Sequence, residues 1–261
     1  MATAIAVHPT QPSLPRIYFN EARFELLKLS RNRSYLFSMI GFPVIFYLLF
    51  GVTNKGFVFH GHTIARYLLA GYSCFGAMGS SLFGIGAGLA FERGHGWLEM
   101  KRASPMPAAA YLLAKLCVAI IFAVGITILL MTLGTAMAGV QITPVEGLRL
   151  LSVVAAGVVP FASLGLVIGL LMPSNAAPGV INLVYLPLSF CGGLWMPIET
   201  LPHWLQMIAH GLPSFWFSRL ALRTLGYSDS SALLAWTLLA GYAVVFLLIA
   251  AFIFRRQEAQ A

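Results

Sequence analysis

Residues 150–198 read LLSVVAAGVVPFASLGLVIGLLMPSNAAPGVINLVYLPLSFCGGLWMPI, with no charged side chain anywhere in the run. A helix rises ~1.5 Å per residue and the hydrocarbon layer of a membrane is ~30 Å thick, so about 20 apolar residues make one crossing. This window is long enough for two. Pro173-Ser174-Asn175 near its middle supplies a helix stop followed by a possible N-cap. Charge-free windows at 34–54, 67–91, 116–145 and 230–254 repeat the pattern. Over all 261 residues, 59% are hydrophobic and 9% charged, where soluble proteins typically have about 45–50% apolar and ~25% charged. The expected fold is an all-α membrane protein with six transmembrane helices, roughly 34–52, 64–90, 108–138, 148–172, 176–197 and 231–254. The ten-residue alternating segments that a membrane barrel needs are absent.

The few charges then set orientation. Sixteen Lys+Arg stand against eight Asp+Glu, and basic residues are retained on the cytoplasmic side. An inside N-terminus places Arg16, Arg23, Lys28, Arg31, Arg33, Arg93, Lys101, Arg102, Lys115, Arg255 and Arg256 in the cytoplasm. It leaves Lys55, Arg66, Arg149, Arg219 and Arg223 outside. With an even number of spans both termini are cytoplasmic, and the expected location is the cell's inner (plasma) membrane, multi-pass. The basic surplus is an orientation signal rather than a nucleic-acid footprint, which needs a solvated face to carry it. Residues 1–33 read as a leader and an interfacial helix, 34–254 as the six-span domain and 255–261 as a cytoplasmic tail. The first ~14 residues, with Pro9 and Pro12, lack the features of a signal peptide. Arg66, Lys115 and Arg149 fall near span ends, where long basic side chains snorkel to the interface. Cys74, Cys117 and Cys191 fall inside spans, where small apolar packing is the usual role.

Three segments are neither span nor simple loop. In 16–33, Tyr18, Phe19, Ala22, Leu26 and Leu29 share one arc of a helical wheel with Glu25 at its edge; this predicts a helix along the inner membrane surface, either an anchor attracted to anionic lipid or a docking element. The loop 91–105 holds Glu92, Arg93, Glu99, Lys101 and Arg102, turns at glycines and closes at Ser104-Pro105. Mixed charge suits a polar protein partner better than lipid, although a solvated loop has the same composition. The outer stretch 194–223, with Trp195, Trp204, Phe215, Trp216 and Phe217 among three prolines, is too apolar for a free loop and too interrupted for a span. Short helices dipping into the outer interface fit it, with the aromatics as interface anchors.

Several chemistries have no residues to carry them. None of Lys28, Lys55, Lys101 or Lys115 follows a glycine, so no phosphate-binding loop G-x-x-x-x-G-K-[ST] can be placed. Gly84-Ile85-Gly86-Ala87-Gly88 sits within a span rather than after a strand, and with Gly165 and Gly169 reads as close helix packing. His60, His62, His203 and His210 lie outside the spans, which disfavours a metal or haem site in the bundle. No carboxylate lies near mid-span, which disfavours a proton-coupled carrier, and no nucleophile and base pair at matching depth.

The six spans, the amphipathic N-terminal helix, the pattern Glu92-Arg93 … Gly96-Trp97-Leu98-Glu99 … Ser104-Pro105 after the second span and the outer segment Gly192-Gly193-Leu194-Trp195-Met196-Pro197-Ile198-Glu199-Thr200-Leu201-Pro202 together resemble the permease subunit of type-2 ABC exporters. The resemblance covers nearly the whole chain. It implies a loop that forms a coupling helix docking into a separate ATPase, with Glu92, Arg93, Gly96, Trp97, Glu99, Lys101 and Arg102 as the coupling residues. It also implies a permease dimer, homomeric or heteromeric, and short outer re-entrant helices, with Trp195, Glu199 and Trp204 as outer-gate candidates. ATP then acts through the partner, the chain itself holding no cofactor, metal or catalytic residue. Ser80, Ser81, Asn175 and Asn182 are candidates for the pathway. Apolar walls with few polar groups imply an amphiphilic substrate, a drug, antibiotic or lipid-like molecule moved outward. The alternatives are a lipid-linked saccharide exporter and an ATPase-independent secondary carrier.

Orientation is directly testable. In a variant without Cys74, Cys117 and Cys191, a cysteine from Ser228→Cys is expected to react with an impermeant maleimide from outside intact cells, and one from Gln257→Cys only from inside. The reverse pattern overturns the assignment.

Overall fold

A computed structural model describes residues 13–59, 61–102, 107–228 and 230–258; the side chains of Glu99, Lys101, Arg102, Ala108 and Glu258 lie outside the described set. Helix α1 (Leu14–Arg31) ends at Asn32, an extended residue whose side chain accepts the Tyr35 N–H and caps α2 (Arg33–Val52). Two stretches of α2, Phe37–Gly41 and Tyr47–Val52, are wound as π-helix. A small hairpin, β1 (Val58–Phe59) against β2 (His62–Thr63), leads into α3 (Ile64–Gly94). The short α4 (Trp97–Arg102) follows, then α5 (Ala108–Ala138), α6 (Pro144–Leu171), α7 (Ala177–Cys191), α8 (His203–Ala209), α9 (Pro213–Thr224) and α10 (Ala232–Glu258).

Among the described residues five helices, α2, α3, α5, α6 and α10, are long and apolar enough to cross a membrane, as expected of an all-α, multi-pass membrane protein. The segment expected as a sixth crossing at 176–197 is helical only over the 15 residues of α7, about 22 Å against the ~30 Å of a bilayer core. It stops because the chain turns at Gly192-Gly193, where Gly193 takes φ 71°. The break before it falls at Pro173-Ser174-Asn175 as the sequence suggests, but Ala176 occupies the N-cap and no side chain caps the helix.

The axis of the bundle is α3. Every residue from Tyr67 to Ser81 is buried, which matches a helix apolar on all sides, and α2, α5, α6, α7 and α9 pack around it. Its contact with α6 is backbone to backbone. A Cβ on Gly169 would lie 2.7 Å from the Gly86 carbonyl oxygen, and one on Gly86 3.0 Å from that of Gly165. Those glycines therefore do pack helices closely. At the hairpin end of α3, a Cβ on Gly71 would lie 2.1 Å from the Leu194 carbonyl oxygen, and Tyr67 donates its hydroxyl to the Gly193 carbonyl at 2.8 Å. The stretch 194–223 is thus folded onto the bundle, with Leu194, Ile198, Leu201, Ala209, Phe215 and Phe217 buried.

Two expectations need correction. The arc of α1 expected on a membrane surface packs against α5 instead: Tyr18, Ala22, Leu26 and Leu29 are partly covered and Glu25 in their midst is buried, while Phe19 turns outward. Lys115 does not snorkel; it is buried, held by carboxylates. Arg66 does find polar groups at its helix end, the Glu146 carboxylate and the Gln141 carbonyl at 3.0 Å.

Gly169→Ala is expected to cost about 2 kcal/mol through overpacking, read as a lowered melting temperature in detergent. Gly179→Ala, whose Cβ would meet nothing within 4 Å, should leave it unchanged. Equal behaviour of the two variants would contradict the close packing of α3 on α6.

Candidate functional site

Where α3 runs out of apolar residues, four charged side chains from three helices meet, Glu25, Glu92 and Lys115 buried and Lys28 partly exposed at the rim. Glu25 and Lys28 come from α1, one turn apart; Glu92 from the last turn of α3; Lys115 from the second turn of α5. Lys115 Nζ lies 2.7 Å from Glu25 Oε1 and 3.1 Å from Glu92 Oε1, and Lys28 Nζ lies 2.5 Å from Glu25 Oε2 and also bridges to Glu92. The second oxygen of Glu92 accepts the Tyr111 hydroxyl at 2.5 Å, and the Tyr111 ring sits beneath Lys115 Nζ at 5.0 Å. Gly88 leaves room for the lysine, since a Cβ there would stand 3.4 Å from Nζ. Two positive and two negative charges balance, the condition under which such burial is tolerable. At Lys28, burial favours the neutral amine, but Glu25 and Glu92 outweigh it and raise the ammonium above the ordinary lysine value. Its contribution is present below that ordinary value and lost only as pH rises through the raised one.

Immediately beyond this cluster the chain reverses. His95 and Gly96 donate their N–H groups back to Phe91 and Arg93, both at 3.1 Å, and Gly96 adopts φ 73°, a conformation that a side chain would strain. Then α4 begins. Arg93 locks the corner against α6 by donating to the Leu170 and Met172 carbonyls, the latter at 2.8 Å, which satisfies oxygens left free at the end of that helix. Gln257 of α10 adds a bond to Leu170 at 3.0 Å. Leu98 tucks against Leu89, Tyr111, Leu170 and Ala250. The opposite side shows Phe91, His95, Trp97 and Met100 to solvent, with the Phe91 and His95 rings 4.0 Å apart and Trp97 edge-on to Phe91 at 5.7 Å.

Among the residues singled out by sequence, Arg93, Gly96 and Trp97 belong to this corner. Glu92 does too, but as a buried anchor, 2% exposed, rather than a surface contact. Glu99, Lys101 and Arg102 lie on α4, and their side chains fall outside the described set. Ser80 and Ser81 are buried in α3 and spend their hydroxyls on carbonyls, Ser80 on Ala77 at 2.9 Å and Ala119 at 3.2 Å, Ser81 on Ala77 at 2.7 Å; within one chain they line no open path. Asn175 is exposed on the turn after α6, at the same end as α4, and Asn182 is exposed on α7. The outer-gate candidates do not converge: Trp195 packs among Phe46, Phe75 and Phe190, Glu199 pairs with Arg219 at 3.1 Å, and Trp204 is exposed. Glu25, Lys28, Tyr111 and Lys115 escaped the sequence reading. The signal was present, a glutamate on the apolar edge of α1 and a lysine inside a long apolar helix, each of which needs a partner to be buried.

The chain also resembles known proteins. The profile of the ABC-2 type transporter family matches residues 21–226. The protein named "Putative transport permease YvfS" of Bacillus subtilis (strain 168) is 30% identical over 237 residues, which is 90% of this chain and 96% of that protein. The chain belongs to the ABC-2 type transporter family and is a transport permease of that family's kind rather than a catalytic enzyme.

Lys115→Met leaves two carboxylates sharing one ammonium, and removing one partner of a buried ion pair typically costs about 3–5 kcal/mol. Adding Glu92→Gln is expected to restore part of that loss, so unfolding in detergent should show the double variant more stable than Lys115→Met alone. Simple additivity of the two substitutions would contradict the cluster.

Proposed function

We propose that this ABC-2 family chain is the membrane-spanning subunit of an ATP-driven exporter, paired with a second permease copy and powered by a separate ATPase that docks at α4. The observation that carries the reading is the exposed Phe91, His95, Trp97 and Met100 ridge, rooted on one side by Arg93 and on the other by the buried ion cluster. Exposed aromatic groups on a rigid support are the usual makings of a protein contact. Motor and permease then divide the work: the ATPase changes shape with nucleotide, and this chain converts a push at α4 into motion.

The route of that push is α3. Its 31 residues make a rod about 45 Å long, tied at one end to α4 and at the other to Gly193 and Leu194 through Tyr67 and Gly71. Displacement of the corner would thus pass toward the outer segment along α3, through its π-helical stretch Leu82–Ala87. In this reading α7 and the apolar stretch after it together make the sixth crossing, with α8 and α9 re-entrant at the outer interface, the termini cytoplasmic and the membrane the inner one. Asn182, exposed beside Gly179 and Leu183 on α7, sets a polar group on an apolar face and supports an amphiphilic substrate, drug-like, antibiotic or lipid-like, moved outward.

The test is purification of the complex from its source. An ATPase identified by mass spectrometry should accompany the wild-type chain in stoichiometric amount, and Phe91→Ala with Trp97→Ala should lower that recovery roughly tenfold while the permease still inserts. Full transport by the chain without any ATPase, or unchanged recovery with the double variant, would contradict the proposal.

A further inference from the structure

The outward side of α1 combines exposed aromatic groups with several arginines. At 100° per residue, the packed arc holds Ile17, Tyr18, Glu21, Ala22, Glu25, Leu26, Lys28 and Leu29, and both acids of the helix lie within it. The remaining arc, roughly 140° wide, holds Arg16, Phe19, Arg23, Phe24, Leu27 and Arg31. There Phe19 is 69% exposed and Phe24 63%. It carries no carboxylate, and none of Arg16, Arg23 and Arg31 pairs with one among the described residues.

We infer that this face is a docking surface for the headgroups of anionic phospholipid. Three observations select that occupant. No carboxylate among the described residues neutralises the arginines, and guanidinium groups match phosphate oxygens in geometry as well as sign. Phe19, Phe24 and Leu27 are interleaved with them, so the face suits a boundary where apolar and anionic groups alternate, as acyl chains and headgroups do. Its position agrees: only Asn32 separates α1 from the membrane-crossing α2, which holds the C-terminal end of α1 at the edge of the bilayer. The inference rests on membrane insertion and not on the proposed ATPase.

The placement gives the contact a consequence. Lipid bound to the outward arc would press the inward arc, with Glu25 and Lys28, onto Lys115 and Glu92, so lipid charge would steady the root of α4.

Native mass spectrometry of the purified full chain in detergent, offered phosphatidylglycerol or phosphatidylcholine of the same acyl composition, reads the preference directly. Wild type should retain phosphatidylglycerol selectively and gain melting temperature from it. Arg16→Gln with Arg23→Gln and Arg31→Gln should cut that preference about a hundredfold, as expected for three basic residues near an anionic surface, and abolish the thermal gain. Arg255→Gln with Arg256→Gln, in the last turn of α10, should change neither. No preference in wild type, or the same preference in the triple variant, overturns the inference. Should the triple variant keep its lipid preference and lose a co-purifying protein, the face belongs to that protein and the inference is likewise overturned.

Discussion

Three buried charges, Glu25, Glu92 and Lys115, with Lys28 completing the set at its partly exposed rim, tie three helices together. Glu25, Lys28, Glu92 and Lys115 form a neutral set at the foot of the bundle, and the buried three are tolerable there only while their partners stay in place. Apolar packing in a membrane is weakly directional, because lipid tails satisfy a leucine as well as another helix does. A buried ion set is directional. It fixes the rotation of α1, the depth of α5 and the point at which α3 gives way to the turn into α4.

From that anchor the remaining architecture follows as a chain of close contacts. The glycines of α3 and α6 let two backbones touch, and α3 is buried on every side from Tyr67 to Ser81. Its far end is clamped by Tyr67 and by the Leu194 carbonyl seated on Gly71. A helix buried over most of its length, fixed to a charged corner at one end and to an aromatic segment at the other, is placed to carry displacement between the two.

Much of this was readable before the structure, and the misses share one cause. The span at 108–138 coincides with α5, and the first, second, fourth and last spans differ from the observed helices only at their ends, because charge-free length is a property of the chain alone. The sixth was overestimated because the same arithmetic takes no account of Gly192-Gly193 turning the chain. The apolar arc of α1 was real, but its partner was misassigned: Tyr18, Leu26 and Leu29 look the same to lipid and to α5, and only the pairing of Glu25 with Lys115 distinguishes them. Glu92 was read as a contact to a protein partner because it stands in a mixed-charge loop, and its burial depends on Lys28 and Lys115, far away in sequence. The hydroxyls of Ser80 and Ser81 bond within the helix and, for Ser80, to α5, contacts that only the folded chain shows.

The central claim is that the buried ion set positions α4 relative to α1. Spin labels on Ser30→Cys and Met100→Cys, in a chain without its native cysteines, report that distance by pulsed electron resonance. A single narrow distribution is expected with Lys115 present, broadened in Lys115→Met and narrowed again when Glu92→Gln is added. The same narrow distribution in all three would contradict it.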